Sequence, residues 1–421
     1  MWTISDRVTP RLEEIWFEHY DPPHCNTGSS DLLLLHDILY RSYVNLKRLV
    51  IKRFPLSKAM HSSLAHDEES KQPLLGLKDL ELDECEDLQE WGLPLLLQRC
   101  IALERLTLKL SDLNVIPSLI TGLKATDMSN LNEIHIKAEA AWGISSFLSD
   151  IQFADIISVS QVGWKVVNID YWLQFESLSC EALLKHSKTL EVLHMTWWES
   201  LSTSKYLLQI LSSCHKLHTF STLERHKDDS RLITYLEANE FIQSDDRSDD
   251  TIIPWPCESS LKIFKARIID IPRPDLVVFV NGRPIPFGLN ETYAGEGRYL
   301  QQQVYRRLAT FVHLEELCLG GTFHEDRPFF QYNCLEMTLE SGLGLLEGLK
   351  ELRKLEITYM QQCIGVKDVQ WMVQHWPKLR VVKGLYDQDD NLEAATWLKD
   401  HYPGIEVEVF HKKKIIFDND L

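Results

Sequence analysis

Nine cysteines stand singly in this chain with no C-x-x-C pair among them, and the odd count argues against a disulfide framework. Reduced thiols are expected, and with them a cytoplasmic or nuclear location. No apolar run reaches the roughly 18 residues of a membrane-spanning helix, and no secretory signal opens the sequence. Basic residues are outnumbered: 44 Lys and Arg face 62 Asp and Glu, a formal net charge of −18. Such a chain repels phosphate backbones and anionic lipid, so neither nucleic acid nor a membrane is an expected partner. The P-loop and the H-E-x-x-H zinc motif are missing, and the 16 His keep no metal-ligand spacing with Cys. Ser, His and Asp form no nucleophile elbow. Gly342-Leu-Gly344-Leu-Leu-Glu-Gly348 approaches a dinucleotide fingerprint, but its last spacing is one residue too long. Leu343, Leu345, Leu346 and Leu349 mark a packing helix there instead. The expectation is a non-enzymatic chain with no catalytic residue, no cofactor and no metal.

What is present is a repeat. Residues 76–108 read L-x-x-L-x-L-x-x-C-x-x-L, then a helix-forming stretch, then Cys-x-x-Leu-x-x-Leu-x-Leu as the next copy opens. Leu77, Leu80 and Leu82 take positions 1, 4 and 6; Leu80 and Leu82 share one face of a short strand, and Asp79, Glu81 and Asp83 take the wet face. Cys85 falls where the strand turns out, a place for a small buried group that bonds a neighbour's free backbone amide. Leu93, Leu96 and Leu97 follow at helical spacing.

First positions recur at Leu12, Leu46, Leu77, Leu103, Leu131, Trp164, Leu190, Leu217, Leu261, Leu314, Leu352, Leu379 and Ile405, and half of the intervals lie between 26 and 28 residues. Helices are expected between them, at 204–214, 367–375 and 391–401. This is the spacing of leucine-rich repeats. An ordinary α/β protein also alternates strand and helix, but it needs no fixed period. The expected fold is an α/β solenoid: a leucine-rich-repeat horseshoe with parallel strands on the concave face and helices on the convex face. Residues 1–421 are read as one solenoid of about 12 repeats, monomeric, with insertions at 225–257 and 276–300.

The first insertion ends in residues 244–250, rich in Asp, an exposed acidic loop that is either decoration or a binding loop. In the second, residues 277–280 and 284–287 flank Asn281-Gly282, a hairpin turn signal, and a helix is expected at 298–309. The basic run 412–414 is either a solvated tail or a targeting signal.

Strand residues facing away from the core form the candidate protein-binding surface. In two consecutive units these are Asn168, Asp170 and Tyr171, then His194, Thr196, Trp197 and Trp198. Aromatic residues amid polar ones suit a partner surface; equally, the tryptophans suit core or turn packing.

Trp255-Pro-Cys257 with Leu261, Ile271-Pro-Arg-Pro-Asp275, and residues 335–360 leading into Ile364-Gly365, Trp371-Met372-Val373 and His375-Trp376-Pro377 carry a resemblance. With the cysteines near Cys85 and Cys100, they resemble the fungal F-box-like leucine-rich-repeat proteins. That resemblance implies a protein partner on the concave face, and the substrate-recognition part of a cullin ubiquitin ligase receptor. It would also put an F-box, opening near Leu-Pro-x-Glu and binding the ligase adaptor, before the repeats; residues 1–50 contain no such phrase. The adaptor is therefore an implied partner if an F-box stands upstream. The other readings are a free-standing leucine-rich-repeat scaffold or decoy, and a small-ligand receptor or enzyme using residues 277–300.

Overall fold

The computed structural model describes residues 13–18, 45–54, 73–85, 92–110, 113–126, 128–138, 147–171, 173–195, 203–223, 235–242, 252–271, 273–280, 283–287, 291–320, 334–358, 360, 362–386 and 389–410. They fall into two compact units, Met1–Met195 and Thr196–Leu421.

The first unit contains strands β1 (Glu14–Glu18), β2 (Arg48–Lys52), β3 (Asp79–Asp83), β4 (Arg105–Leu110), β5 (Glu133–Ala138), β6 (Val166–Asp170) and β7 (Val192–Met195). Each pairs in parallel with the next in chain order. Helices α1 (Gly92–Arg99), α2 (Ile116–Lys124), α3 (Asp150–Ile157) and α4 (Ser177–Leu184) lie between strands in the sequence. The second unit continues with β8 (Thr219–Ser221), β9 (Tyr235–Glu237), β10 (Ile263–Lys265), β11 (Arg267–Ile269), β12 (Arg273–Val280), β13 (Arg283–Phe287), β14 (Glu316–Cys318), β15 (Lys354–Glu356), β16 (Val381–Tyr386) and β17 (Glu406–Phe410). Its helices are α5 (Thr203–Leu211), α6 (Ala238–Ile242), α7 (Glu291–Ala309), α8 (Val366–His375) and α9 (Asp389–His401). Strands β8, β10, β14, β15, β16 and β17 are parallel neighbours in that order. Each unit is thus α/β solenoid architecture, in which strands stack by repetition and not around one closed core.

The repeat register explains these elements. Every expected first position immediately precedes a parallel strand, and those from Leu46 to Leu379 are buried. Leu77, Leu103, Leu131, Leu261, Leu314, Leu352 and Leu379 each donate a backbone N–H to a carbonyl three or four residues back, closing the turn that feeds the strand. One carbonyl then accepts two amides of the next repeat: that of Lys47 takes Lys78 and Asp79, that of Lys78 takes Glu104 and Arg105. Leu80 and Leu82 are buried as expected.

Several expectations change. Cys85 is buried, and besides the backbone bond it shares with Phe54 its thiol donates to the Ile51 carbonyl at 3.3 Å. Leu343–Gly348 is a 3-10 helix, and Leu345 is exposed because three residues per turn put it off the face of Leu343, Leu346 and Leu349. The first insertion contributes a strand and a helix: β9 pairs in parallel with β11, and Phe241, Trp255 and Cys257 are buried. Residues 244–250 lie outside the described residues. In the second, β12 and β13 form an antiparallel hairpin closed by Val280 opposite Arg283, and α7 spans the expected helix.

Candidate functional site

Strand alternation turns one side of each strand away from the buried leucines, and that open side is the candidate surface. In the first unit its first row is Glu14, Arg48, Asp79, Arg105 and Glu133, in direct register. Successive members pair at 3.0, 3.5, 3.1 and 2.5 Å. A second file joins Lys52 to Asp83 at 3.8 Å and Lys109 to Asp83 and Glu81 at 3.0 and 2.8 Å. The hydrogen bonds that Arg105 and Lys109 donate to Glu133 and Glu81 push their pKa values up, so both cations stay charged. Trp16 lies 59% exposed, with the Arg48 guanidinium 5.2 Å and the Lys52 ammonium 5.4 Å from its ring centre.

The first row loses its charges at β6 and β7, where it continues as Val166 and Val192. The middle row becomes uncharged: Thr107, His135, Asn168 and His194 stand opposite one another. Burial holds His135 below the usual histidine range, so it is neutral at physiological pH. Asp170 pairs with Lys137 at 3.5 Å. The structure therefore brings Asn168, Asp170 and His194 together on the open side, all half-buried. Tyr171, expected beside them, is instead buried at 8% exposure, because one step past Asp170 is the covered side. Thr196, Trp197 and Trp198 lie outside the described residues. His135 and Thr107 were not among the expected residues, although they hold the same repeat position as Asn168 and His194.

The second unit's open side is similarly paired. Lys265 meets Glu316 at 2.9 Å, Lys354 meets Glu356 at 2.7 Å, and Lys383 meets Glu408 and Glu406 at 2.6 and 3.5 Å. Five buried thiols are unsuited to nucleophilic work. Burial pushes Cys85 up to about 11, and Cys100, Cys180, Cys257 and Cys318 to about 12. Among the described residues no His, Cys, Asp and Glu cluster could hold a metal ion, and no helix is long and apolar enough to cross a membrane.

The motif Trp255-Pro-Cys257 has a structural role. The Arg307 guanidinium, fully buried, lies 4.3 Å from the Trp255 ring centre, pairs with Glu258 at 2.9 Å and donates to the Ile253 carbonyl at 2.6 Å. The Cys257 thiol donates to the Leu211 carbonyl at 3.0 Å.

No protein-family model matches the chain, and no curated protein matches it. Among solved structures, a chain of the crystal structure of the Rad7 and Elc1 complex in yeast is similar over 91% of this chain and 88% of that one, with 13% identity and a TM-score of 0.31.

Proposed function

We propose that this chain is a non-enzymatic protein-binding module whose partner lies on the open side of the sheet. The observation that carries this is the change along that side. From β1 to β5 the charges neutralise one another, while β5 to β7 present an uncharged polar row beside Val166 and Val192. A partner docking there desolvates few unpaired charges, and rigid strands hold the contact residues in place. Seven strands at about 4.8 Å spacing span on the order of 29 Å, enough for one element of a folded domain.

The finer reading is that the chain holds the substrate of an F-box-type cullin ubiquitin ligase. It rests on the family resemblance of Trp255-Pro-Cys257 and of residues 335–360. One experiment tests both levels. Tagged wild-type chain and the variants Asn168→Arg and His194→Glu are recovered from the source cells, and the bound proteins are quantified by mass spectrometry. The proposal expects a partner at stoichiometric level that both variants lose while keeping the wild-type melting curve. Equal recovery by all three sinks the open-side site. Cullin and adaptor at stoichiometric level support the ligase reading; a partner without them leaves a free-standing scaffold.

A further inference from the structure

Two stretches of the second unit repeat one another: Trp371-x-x-x-His375-Trp376-Pro377-x-Leu379 and Trp397-x-x-x-His401-Tyr402-Pro403-x-Ile405. In both, the histidine ring stacks on the tryptophan, at 4.6 and 4.5 Å between centres, and its Nδ1 meets the tryptophan carbonyl at 2.9 Å. The copies differ in covering. Trp376 is buried and donates its indole N–H to the Leu346 carbonyl at 3.0 Å, whereas its counterpart Tyr402 is 42% exposed. Between the two turns lies a groove of about 500 Å³, half open to solvent.

Pro377, Pro403 and Ile405 line its apolar part, and Arg380, His401 and Tyr402 supply the polar groups. Arg380 is exposed and donates Nη1 to the Leu379 carbonyl at 2.8 Å, and no carboxylate among the described residues pairs with it. No Asp or Glu lines the groove, although the chain carries a net charge of −18. An unpaired guanidinium beside apolar walls is complementary to a carboxylate attached to apolar side chains, and a half-open groove admits a passing chain better than it encloses a small molecule.

We propose that this groove binds an extended segment of a partner protein in which aliphatic or aromatic side chains are followed by an acidic residue. Arg380 holds the carboxylate, and the apolar side chains lie against Pro377, Pro403 and Ile405. This rests on the protein-binding reading and adds a second contact, separate from the open side of the sheet.

The probe is a fluorescein-labelled hexapeptide with the sequence of Ile415-Ile-Phe-Asp-Asn-Asp420, which has this composition and lies outside the described residues. Its fluorescence anisotropy is titrated with the full chain. The proposal expects saturable binding, weakened at least tenfold in Arg380→Glu and for a probe with both Asp replaced by Lys. Arg380 is exposed, so an unchanged melting curve separates lost binding from lost folding. Equal affinity for the two probes, or for wild type and Arg380→Glu, overturns the proposal. A chain lacking residues 411–421 gives the last arm. Unchanged affinity supports a groove open to a partner; at least tenfold tighter binding shows the chain's own segment as occupant and overturns the partner reading. Loss of the partner in Asn168→Arg with no peptide binding at all would remove the groove proposal alone and leave the open-side site standing.

Discussion

The two units build the same repeat from different sources of stability. In the first, strands β1 to β7 run four to six residues and cross-strand ion pairs follow their register. In the second, β8, β10, β14 and β15 are three residues each, so each ladder supplies fewer hydrogen bonds. Aromatic packing stands in their place. Phe220, Phe264 and Phe311 follow one another at 5.8 Å between ring centres, and Trp255 meets Phe241 at 5.4 Å, above the buried Arg307. Where the period is kept, regular strands suffice and the ion pairs are additions. Where insertions break it, aromatic rings around a buried cation hold the repeat, and that interior tolerates less change.

The largest test of this difference is Arg307→Ala. Removing the cation leaves the Glu258 carboxylate without its counter-charge, with only the Trp255 amide among the described residues to bond it, and takes a donor from the Ile253 carbonyl, at a cost of about 3–5 kcal/mol. The urea midpoint should fall sharply; a shift no larger than that of a surface substitution would show that the second unit does not depend on this centre.

Gly384→Ala comes next. Gly384 has φ +97° at a register shift in β16, and an added Cβ would meet the Thr358 nitrogen at 2.4 Å. Backbone strain alone costs roughly 1–3 kcal/mol, and the clash adds to it. Thermal unfolding checks this, with the exposed Gly348→Ala as the control expected to change little.

A smaller effect concerns acid sensitivity in the first unit. Burial holds His186, whose Nε2 lies 3.2 Å from the Ile157 carbonyl, below the usual histidine range. The unfolded chain therefore takes up the proton first, so this contribution to stability is complete above about pH 6.5 and is lost as the pH falls below it. In His186→Asn, the drop in urea midpoint between about pH 7.5 and pH 5.5 should be smaller than in wild type. An identical drop would assign the acid sensitivity to other groups.

The smallest expected effect is in the ion-pair lattice. Arg105→Gln breaks the pairs with Asp79 and Glu133, yet both are partly exposed, so the loss should stay near or below about 1 kcal/mol and vanish in high salt. A loss as large as that of Arg307→Ala would erase the contrast between the units.

Much of the fold was legible because its signal is local and repeated. Leu77, Leu80 and Leu82 show the strand and its buried face, and Asn281-Gly282 marks the hairpin from two residues. Strand β9 was not legible, because its partner β11 lies across a sequence gap that breaks the period. Of the candidate site, Asn168, Asp170 and His194 followed from alternation, while Tyr171 did not, since two adjacent strand residues cannot share a side.

The sequence by itself determined the period, the buried face of each strand and the acidic balance of the chain, since all three depend on residue identity and spacing. Only the tertiary structure decided which charges are spent on one another and which remain available. Glu14, Arg48, Asp79, Arg105 and Glu133 are far apart in the chain and become one paired row through strand register, while Arg380 meets no carboxylate among the described residues and lies beside an apolar groove. Ion pairing depends on distance in space, and register sets that distance.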